Sequence, residues 1–253
     1  MQKIEIWQSK KIVLLLGVIL FLRLNLLVAQ DYFPISVGNR WVFHKRGGKD
    51  VRLIEVLSVQ QELAASRTDK KPKQIRKFAQ NGVVIHNSVN FRSYFLSQAT
   101  EGWYQFAITQ FKSRKDGKVR SSIYTYDKDQ MFIPKQMRLE KKWTTLGNNS
   151  RRKVEDILTT NFKTISMENI KIKAGHFLRV MCVSEEAKRQ RKDRMKSWLS
   201  YMWLAPNVGP IRLKTVNEEI FELVEYNLTL DLQLTNQQLP LQWGHIKFHK
   251  TGH

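Results

Sequence analysis

The polar and apolar positions of this chain alternate with a period of two over much of its length, which is typical of antiparallel β-strands. The clearest case lies near the end, where apolar side chains from Val224 to Leu234 alternate with polar ones without a break. At about 3.3 Å per residue, a strand from Glu219 to Leu234 would be roughly 50 Å long. Such a strand suits a large sheet with one apolar face. The pattern therefore predicts a mainly β protein, an antiparallel sheet curled into a half-barrel with one or two short helices.

Turn signals divide the alternating pattern into hairpins. Gly47-Gly48 separates two strand-like runs, 40–44 and 51–59, and Asp116-Gly117 marks a second turn between two alternating segments. Residue pairs of this kind readily adopt the positive φ angles of tight hairpin turns. Further strands are expected over 82–96. The sequence thus predicts a series of short strands that each pair with the next one along the chain.

The first 29 residues have a different pattern. Three lysines within Met1–Lys11 precede eleven apolar residues, Ile12–Leu22, and the segment ends at the small residue Ala29. This order is the layout of a secretory signal peptide. Arg23 interrupts the apolar run well short of the roughly 20 residues that a membrane-spanning helix needs. We therefore expect residues 1–29 to direct export to the periplasm or cell envelope; retention of the segment as an N-terminal anchor stays open.

The remainder predicts one domain and a tail. Residues 30–234 are expected to form a single β-rich half-barrel domain, and residues 235–253 a weakly ordered C-terminal tail. The single cysteine, Cys182, lies in the apolar run 180–183 and is expected to be a buried hydrophobic residue. Because one cysteine cannot form an intramolecular disulfide, the stability of the fold must come from buried apolar surface.

The chain is strongly basic, with 43 Lys and Arg residues against 22 Asp and Glu residues and a net charge of +21. Such a field attracts polyanions. Outside the cytoplasm these are membrane and glycan surfaces rather than nucleic acid, and the densest basic cluster lacks interleaved aromatic residues for base stacking until Trp198. We predict that this cluster is an exposed excursion between two strands that docks on an anionic membrane or glycan surface; a solvated loop without a partner is the alternative. Its basic residues are Lys188, Arg189, Arg191, Lys192, Arg194 and Lys196.

No motif of catalysis or cofactor binding is present: there is no Gly-x-Ser-x-Gly elbow, no phosphate-binding glycine loop and no Cys-x-x-Cys pair. His245, His249 and His253 are four apart, but Gly244 and Gly252 disfavour the helix that would align them. We therefore predict no catalytic, cofactor-binding or metal-binding residue. The expected function is that of a non-enzymatic exported protein that binds a hydrophobic ligand, a lipid or an anionic envelope surface. An exported hydrolytic enzyme with residues gathered from separate strands is the alternative, and the oligomeric state stays open.

Four segments carry short motifs, in this order: Tyr32-Phe33-Pro34 through Gly38-Asn39-Arg40-Trp41, Phe132-Ile133-Pro134 through Lys142-Trp143, Ile170-Lys171-Ile172-Lys173-Ala174-Gly175-His176-Phe177, and Trp203-Leu204-Ala205-Pro206-Asn207-Val208-Gly209-Pro210-Ile211-Arg212. Together they resemble the motifs of the TapB-like family of exported bacterial proteins. The resemblance covers about residues 31–229, and the chain departs from the family pattern at Lys173, His176 and Asn207. It implies export and a half-barrel akin to lipoprotein carriers of the LolA kind, and it implies no particular activity.

Overall fold

A computed structural model shows an antiparallel β-barrel and describes residues 31–61, 82–113, 119–148, 156–192 and 194–229. Among these residues the strands are β1 (Arg40–Lys45), β2 (Val51–Ser58), β3 (Val83–Asn87), β4 (Arg92–Ala99), β5 (Gly102–Ser113), β6 (Val119–Pro134), β7 (Lys142–Asn148), β8 (Asp156–Ile172), β9 (Gly175–Arg191), β10 (Arg194–Ala205), β11 (Gly209–Lys214) and β12 (Ile220–Asn227). Each strand pairs with its neighbour in sequence, and β1 also pairs with β12. The sheet is therefore a closed meander of twelve strands.

The prediction of a mainly β antiparallel protein is confirmed, but the half-barrel is wrong because the sheet closes on itself. The closing ladder runs from Arg40 opposite Asn227 to Lys45 opposite Phe221, with a bulge between Val42 and Phe43. Closure satisfies the edge amides and carbonyls that a half-barrel would leave unpaired. The predicted packed helices are also not found in the described part of the chain, where only residues 59–61 are helical.

The hairpin predictions agree with the structure where the turn is described. β1 and β2 pair around Gly47-Gly48, and Gly47 has a φ of +71°. The Asp116-Gly117 turn lies outside the described residues, although the strands that it joins, β5 and β6, do pair.

The long strand predicted over 219–234 is much shorter in the structure. β12 ends at Asn227, and the backbone N–H of Thr229 donates to Asn39 Oδ1 at 2.6 Å instead of continuing a ladder. The partner strand β1 begins only at Arg40, so within the described residues β1 offers no strand backbone beyond the Arg40–Asn227 pair. Residues 230–234 lie outside the described residues, as do the predicted signal peptide 1–29, the tail 235–253 and the three histidines of that tail.

The meander places alternate connections at opposite ends of the barrel. We call the end that carries residues 31–39 and the β4–β5, β6–β7, β8–β9 and β10–β11 connections the N-terminal end. The end that carries the β1–β2, β3–β4, β9–β10 and β11–β12 connections is the distal end. Among the described residues, no helix is long and apolar enough to cross a bilayer.

The N-terminal segment packs into the barrel at the N-terminal end. The ring of Phe33 is 2% exposed and lies 5.5 Å from the ring of Trp41 and 6.3 Å from that of Phe132. Trp41 is fully buried, and its Nε1–H donates to the carbonyl oxygen of Val208 at 2.6 Å. Tyr32 donates its hydroxyl hydrogen to the carbonyl oxygen of Arg179 at 3.1 Å. The motifs singled out in the sequence therefore meet here, and they act as packing and turn residues.

The buried apolar side chains of the described residues form two clusters on the two faces of the sheet. The large cluster fills the lumen and includes Trp41, Phe43, Ile54, Tyr124 and Leu204, all fully or almost fully buried. A small second cluster contains Val59, Val84, Phe95, Phe106, Ala107 and Ile123. The predicted burial of Cys182 is confirmed, since its side chain is 2% exposed.

Candidate functional site

An ion pair crosses the lumen of the barrel. Arg92 on β4 and Glu185 on β9 are in contact, although four strands separate β4 from β9 in the sheet order. The two side chains are only 8% and 15% exposed. Burial lowers the pKa of Arg92, but the charge of Glu185 and the contacts with Tyr94 together leave this pKa above its ordinary value. The pair is therefore a charged contact that joins opposite walls of the barrel.

Polar side chains surround this ion pair. The hydroxyl oxygen of Tyr94 accepts hydrogen bonds from Asn90 Nδ2 at 2.8 Å and from Arg92 Nη1 at 3.4 Å. Ser200 Oγ donates to Glu185 Oε2 at 3.3 Å. Burial, with a contribution from the nearby carboxylate, raises the pKa of Tyr94 to about 12, so the phenol is neutral at ordinary pH. Asn90 Oδ1 is buried and has no hydrogen-bond partner among the described residues.

A small cavity adjoins this polar group. It has about 50 Å³ of room for solvent, which is enough for a few water molecules. Most of its wall is apolar or aromatic. The lining includes Phe33, Ile54, Ile85, Val89, Phe132, Phe162, Val183, Met202 and Leu213, with Asn87, Asn90, Tyr94, Glu185, Ser200, Lys214 and Thr215 as polar members. A hydrophobic ligand larger than a few atoms could enter only if the wall moves.

A second ion pair lies nearer the distal end. Arg189 donates through Nε and Nη2 to both carboxylate oxygens of Asp156, each at 2.7 Å, and Asp156 is fully buried. The guanidinium of Arg189 lies 5.7 Å from the ring centre of Tyr124. The hydrogen bonds with Asp156 raise the pKa of Arg189. Arg189 was predicted to dock on a surface, but the structure places it in an internal, two-pronged contact.

The other basic residues of the predicted cluster lie at the distal end of the β9–β10 hairpin. The expected excursion is instead a continuation of the two strands: Lys188 and Arg191 belong to β9, and Arg194 and Lys196 to β10. Lys192 is in the turn with a φ of +50°. Strands β9 and β10 continue to the turn because Arg194 pairs with Arg191, and β8 also pairs with β9 as far as Arg191.

The exposed end of this hairpin combines charge with one apolar side chain. Arg191, Lys192, Arg194 and Lys196 are exposed, and Met195 between the last two is 70% exposed. Lys188 forms an ion pair with Glu186 at 2.9 Å. We call Arg191, Lys192, Arg194, Met195 and Lys196 the basic tip.

Metal binding and nucleophilic chemistry at the cysteine find no support in the described part of the chain. No group of three His, Cys, Asp or Glu residues there could hold a metal ion. Burial raises the pKa of the Cys182 thiol to about 12, which keeps it protonated and unreactive. The sequence singled out the four basic residues of the basic tip, whose role stays a prediction, but Arg92, Tyr94 and Glu185 were not predicted from it.

No family model and no curated protein matches this chain. Two solved structures are similar in part. One is a candidate lipoprotein from Parabacteroides distasonis ATCC 8503, with 12% identity, a TM-score of 0.37, and coverage of 79% of this chain and 99% of that chain. The other is a candidate exported protein with a YmcC-like fold from Bacteroides fragilis NCTC 9343, with 9% identity, a TM-score of 0.30, and coverage of 79% and 100%. At these values neither similarity bears on function, and the TapB-like resemblance stays a prediction.

Proposed function

We propose that this protein is an exported, non-enzymatic module of the cell envelope that docks on anionic lipid surfaces through the basic tip. The observation that carries the proposal is the tip itself, in which four exposed cations surround an exposed methionine at the end of the β9–β10 hairpin. Each basic residue near an anionic membrane contributes about 1 kcal/mol. Four of them, together with one apolar side chain that enters the interface, are enough to hold a protein reversibly to such a surface.

Both ends of the barrel expose basic side chains, and the basic tip is distinguished by four of them within residues 191–196, around Met195. Exposed apolar side chains occur at both ends of the barrel: Val51, Phe91 and Val216 lie at distal turns, whereas Leu139 and Leu178 lie toward the N-terminal end. The distal end adds the basic tip and the β1–β2 turn, which carries Arg46 and the exposed Lys49. An interfacial surface needs both kinds of side chain.

The lumenal carboxylates favour a binding module over the alternative of a hydrolytic enzyme. Glu185 is held by Arg92, and Asp156 is held by Arg189. A general acid or base must reach the proton that it transfers, and both oxygens of each of these carboxylates already accept hydrogen bonds from protein groups. These two carboxylates are therefore poorly placed for acid–base catalysis on a substrate.

The experiment is sedimentation with lipid vesicles. Wild-type protein is expected to pellet with vesicles that contain phosphatidylglycerol and not with vesicles of phosphatidylcholine alone. The quadruple variant R191Q/K192Q/R194Q/K196Q is expected to bind at least tenfold more weakly. The matched control is K135Q/R138Q/K171Q/K173Q, which removes the same charge from exposed positions at the N-terminal end and should keep most of the binding. Arg189 stays unchanged in both variants because it holds Asp156.

Three outcomes would contradict the proposal. Equal losses in the two quadruple variants would mean that net charge alone drives association. Binding that does not weaken between low and moderate salt would be inconsistent with an electrostatic contact, since salt shortens the screening length. Retention on an immobilised anionic polysaccharide with no vesicle binding would assign the tip to glycans instead of lipids.

A further inference from the structure

Among the polar side chains beside the lumenal cavity, one hydrogen-bond donor and one hydrogen-bond acceptor have no partner in the described part of the chain. Tyr94 accepts from two N–H donors, Asn90 Nδ2 and Arg92 Nη1, so its own hydroxyl hydrogen is still available. No acceptor for it is found among the described residues. Asn90 Oδ1, on the same amide that contacts Tyr94, is buried and likewise without a partner there. Buried groups of this kind are normally satisfied, so an additional polar atom belongs between them.

We propose that the cavity binds a neutral apolar molecule that carries a hydroxyl group, with this hydroxyl placed between Tyr94 and Asn90. A hydroxyl oxygen accepts from the phenol while its hydrogen is donated to the amide oxygen, so one atom satisfies both groups. A carboxylate has no hydrogen for Asn90, and an ammonium group has no lone pair for the phenol. Either charged group would also lose its hydration in the largely apolar cavity.

The rest of the cavity fits the apolar part of such a molecule. Its wall holds the rings of Phe33, Phe132 and Phe162, and binding sites for small organic ligands share this combination of apolar lining and few convergent polar groups. The free space of about 50 Å³ is small, so the ligand must displace a side chain. Met202 in the wall is only partly buried and is an unbranched, adaptable side chain. The site is separate from the basic tip and does not depend on membrane docking.

The test uses the full chain and a set of linear six-carbon probes. In isothermal titration and ligand-observed NMR, n-hexanol is expected to bind, and n-hexanoate and n-hexylamine to bind at least tenfold more weakly. Shortening the alcohol to n-pentanol should weaken binding about three- to fourfold, as loss of one buried methylene predicts. Tyr94→Phe removes the donor and should weaken hexanol binding at least fivefold. Tyr226→Phe, at an exposed position of β12, is the matched control and should leave binding unchanged.

Several results would overturn the proposal. If wild-type protein binds none of the alcohols at millimolar concentration, the polar group holds an ordered water only. Equal binding of hexanol and hexanoate would remove the argument for a neutral hydroxyl. If Tyr94→Phe does not fold, Asn90→Ala tests the same contact from the acceptor side, and unchanged hexanol binding by that variant would refute the placement.

Discussion

Arg92 and Glu185 form an ion pair across the lumen, from strands on opposite sides of a closed barrel. Desolvation makes such a buried pair a weak source of net stability, but removal of one partner leaves an uncompensated charge inside the protein. Substitution of either residue alone is therefore expected to destabilise the protein, because its charged partner would stay buried without a counter-ion.

The first prediction concerns this coupling. Arg92→Met and Glu185→Met are each expected to lower the free energy of unfolding by about 3–5 kcal/mol. The double variant should lose clearly less than the sum, because it leaves no unpaired charge. Urea unfolding of the four proteins in a double-mutant cycle measures the coupling. The exposed pair of Lys163 and Glu140 is the control, with an expected coupling below about 1 kcal/mol. Additive losses at Arg92 and Glu185 would show that the two charges are not coupled.

The second prediction concerns alkaline pH. Burial raises the pKa of Tyr94 from 10.0 to about 12, so the unfolded chain loses the phenolic proton at lower pH than the folded protein does. The unfolded state then binds fewer protons, and the stability contributed by the neutral phenol is complete below pH 10 and is lost as pH rises towards 12. The loss attributable to Tyr94 should reach about 1.4 kcal/mol at pH 11.

Urea unfolding at pH 8 and pH 11 checks this value. Between the two pH values, the free energy of unfolding of Tyr94→Phe should fall by about 1.4 kcal/mol less than that of wild-type protein. The free energy of unfolding of Tyr226→Phe should fall as much as that of wild type. An identical pH dependence in the wild-type and Tyr94→Phe proteins would mean that Tyr94 does not titrate differently in the two states.

The third prediction concerns a close contact at the N-terminal end. Gly209 has a φ of +95°, and a Cβ atom there would lie 3.1 Å from Cζ2 of the buried Trp41 indole. Gly209→Ala therefore combines backbone strain with a clash and is expected to cost about 2–4 kcal/mol. Gly47→Ala is the control, because Gly47 also has a positive φ but has nothing within 4 Å of the added atom. It should cost only about 1–2 kcal/mol. Thermal unfolding compares the stabilities of the two variants. Equal losses of stability would mean that the contact with Trp41 does not contribute to the cost of Gly209→Ala.

The local part of the fold could be predicted from the sequence, and the closure could not. Hairpins such as β1–β2 depend on a turn and on alternation within about twenty residues, and both are visible in the sequence. The β1–β12 ladder depends on a register between residues at opposite ends of the barrel sequence, for example Arg40 and Asn227. No local pattern specifies such a register. The alternation past Asn227 even indicated a longer strand, because hydrophobic periodicity does not show where a partner strand ends.

The lumenal site was harder to predict than the fold. Arg92 and Glu185 are 93 positions apart in sequence, and each resembles an ordinary surface charge when considered alone. A signal was present at Glu185, which shares its side of β9 with the buried Val183 and Ala187. A charge at an inward position of a strand indicates an internal partner. Arg189 on the same side carried the same signal, but the surrounding run of basic residues obscured it.

The closing ladder has a consequence for the order in which the protein folds. Every other pairing in the meander joins strands that follow each other in sequence, so it can form early with little loss of chain entropy. β1 and β12 must find each other across nearly the whole described chain, and we expect their pairing to be the slow step. Until it forms, both strands present open edges that can recruit another chain. The hydrogen bond from the Thr229 N–H to Asn39 Oδ1 lies just beyond the Arg40–Asn227 pair, so we expect it to help keep these two edges together once they have met.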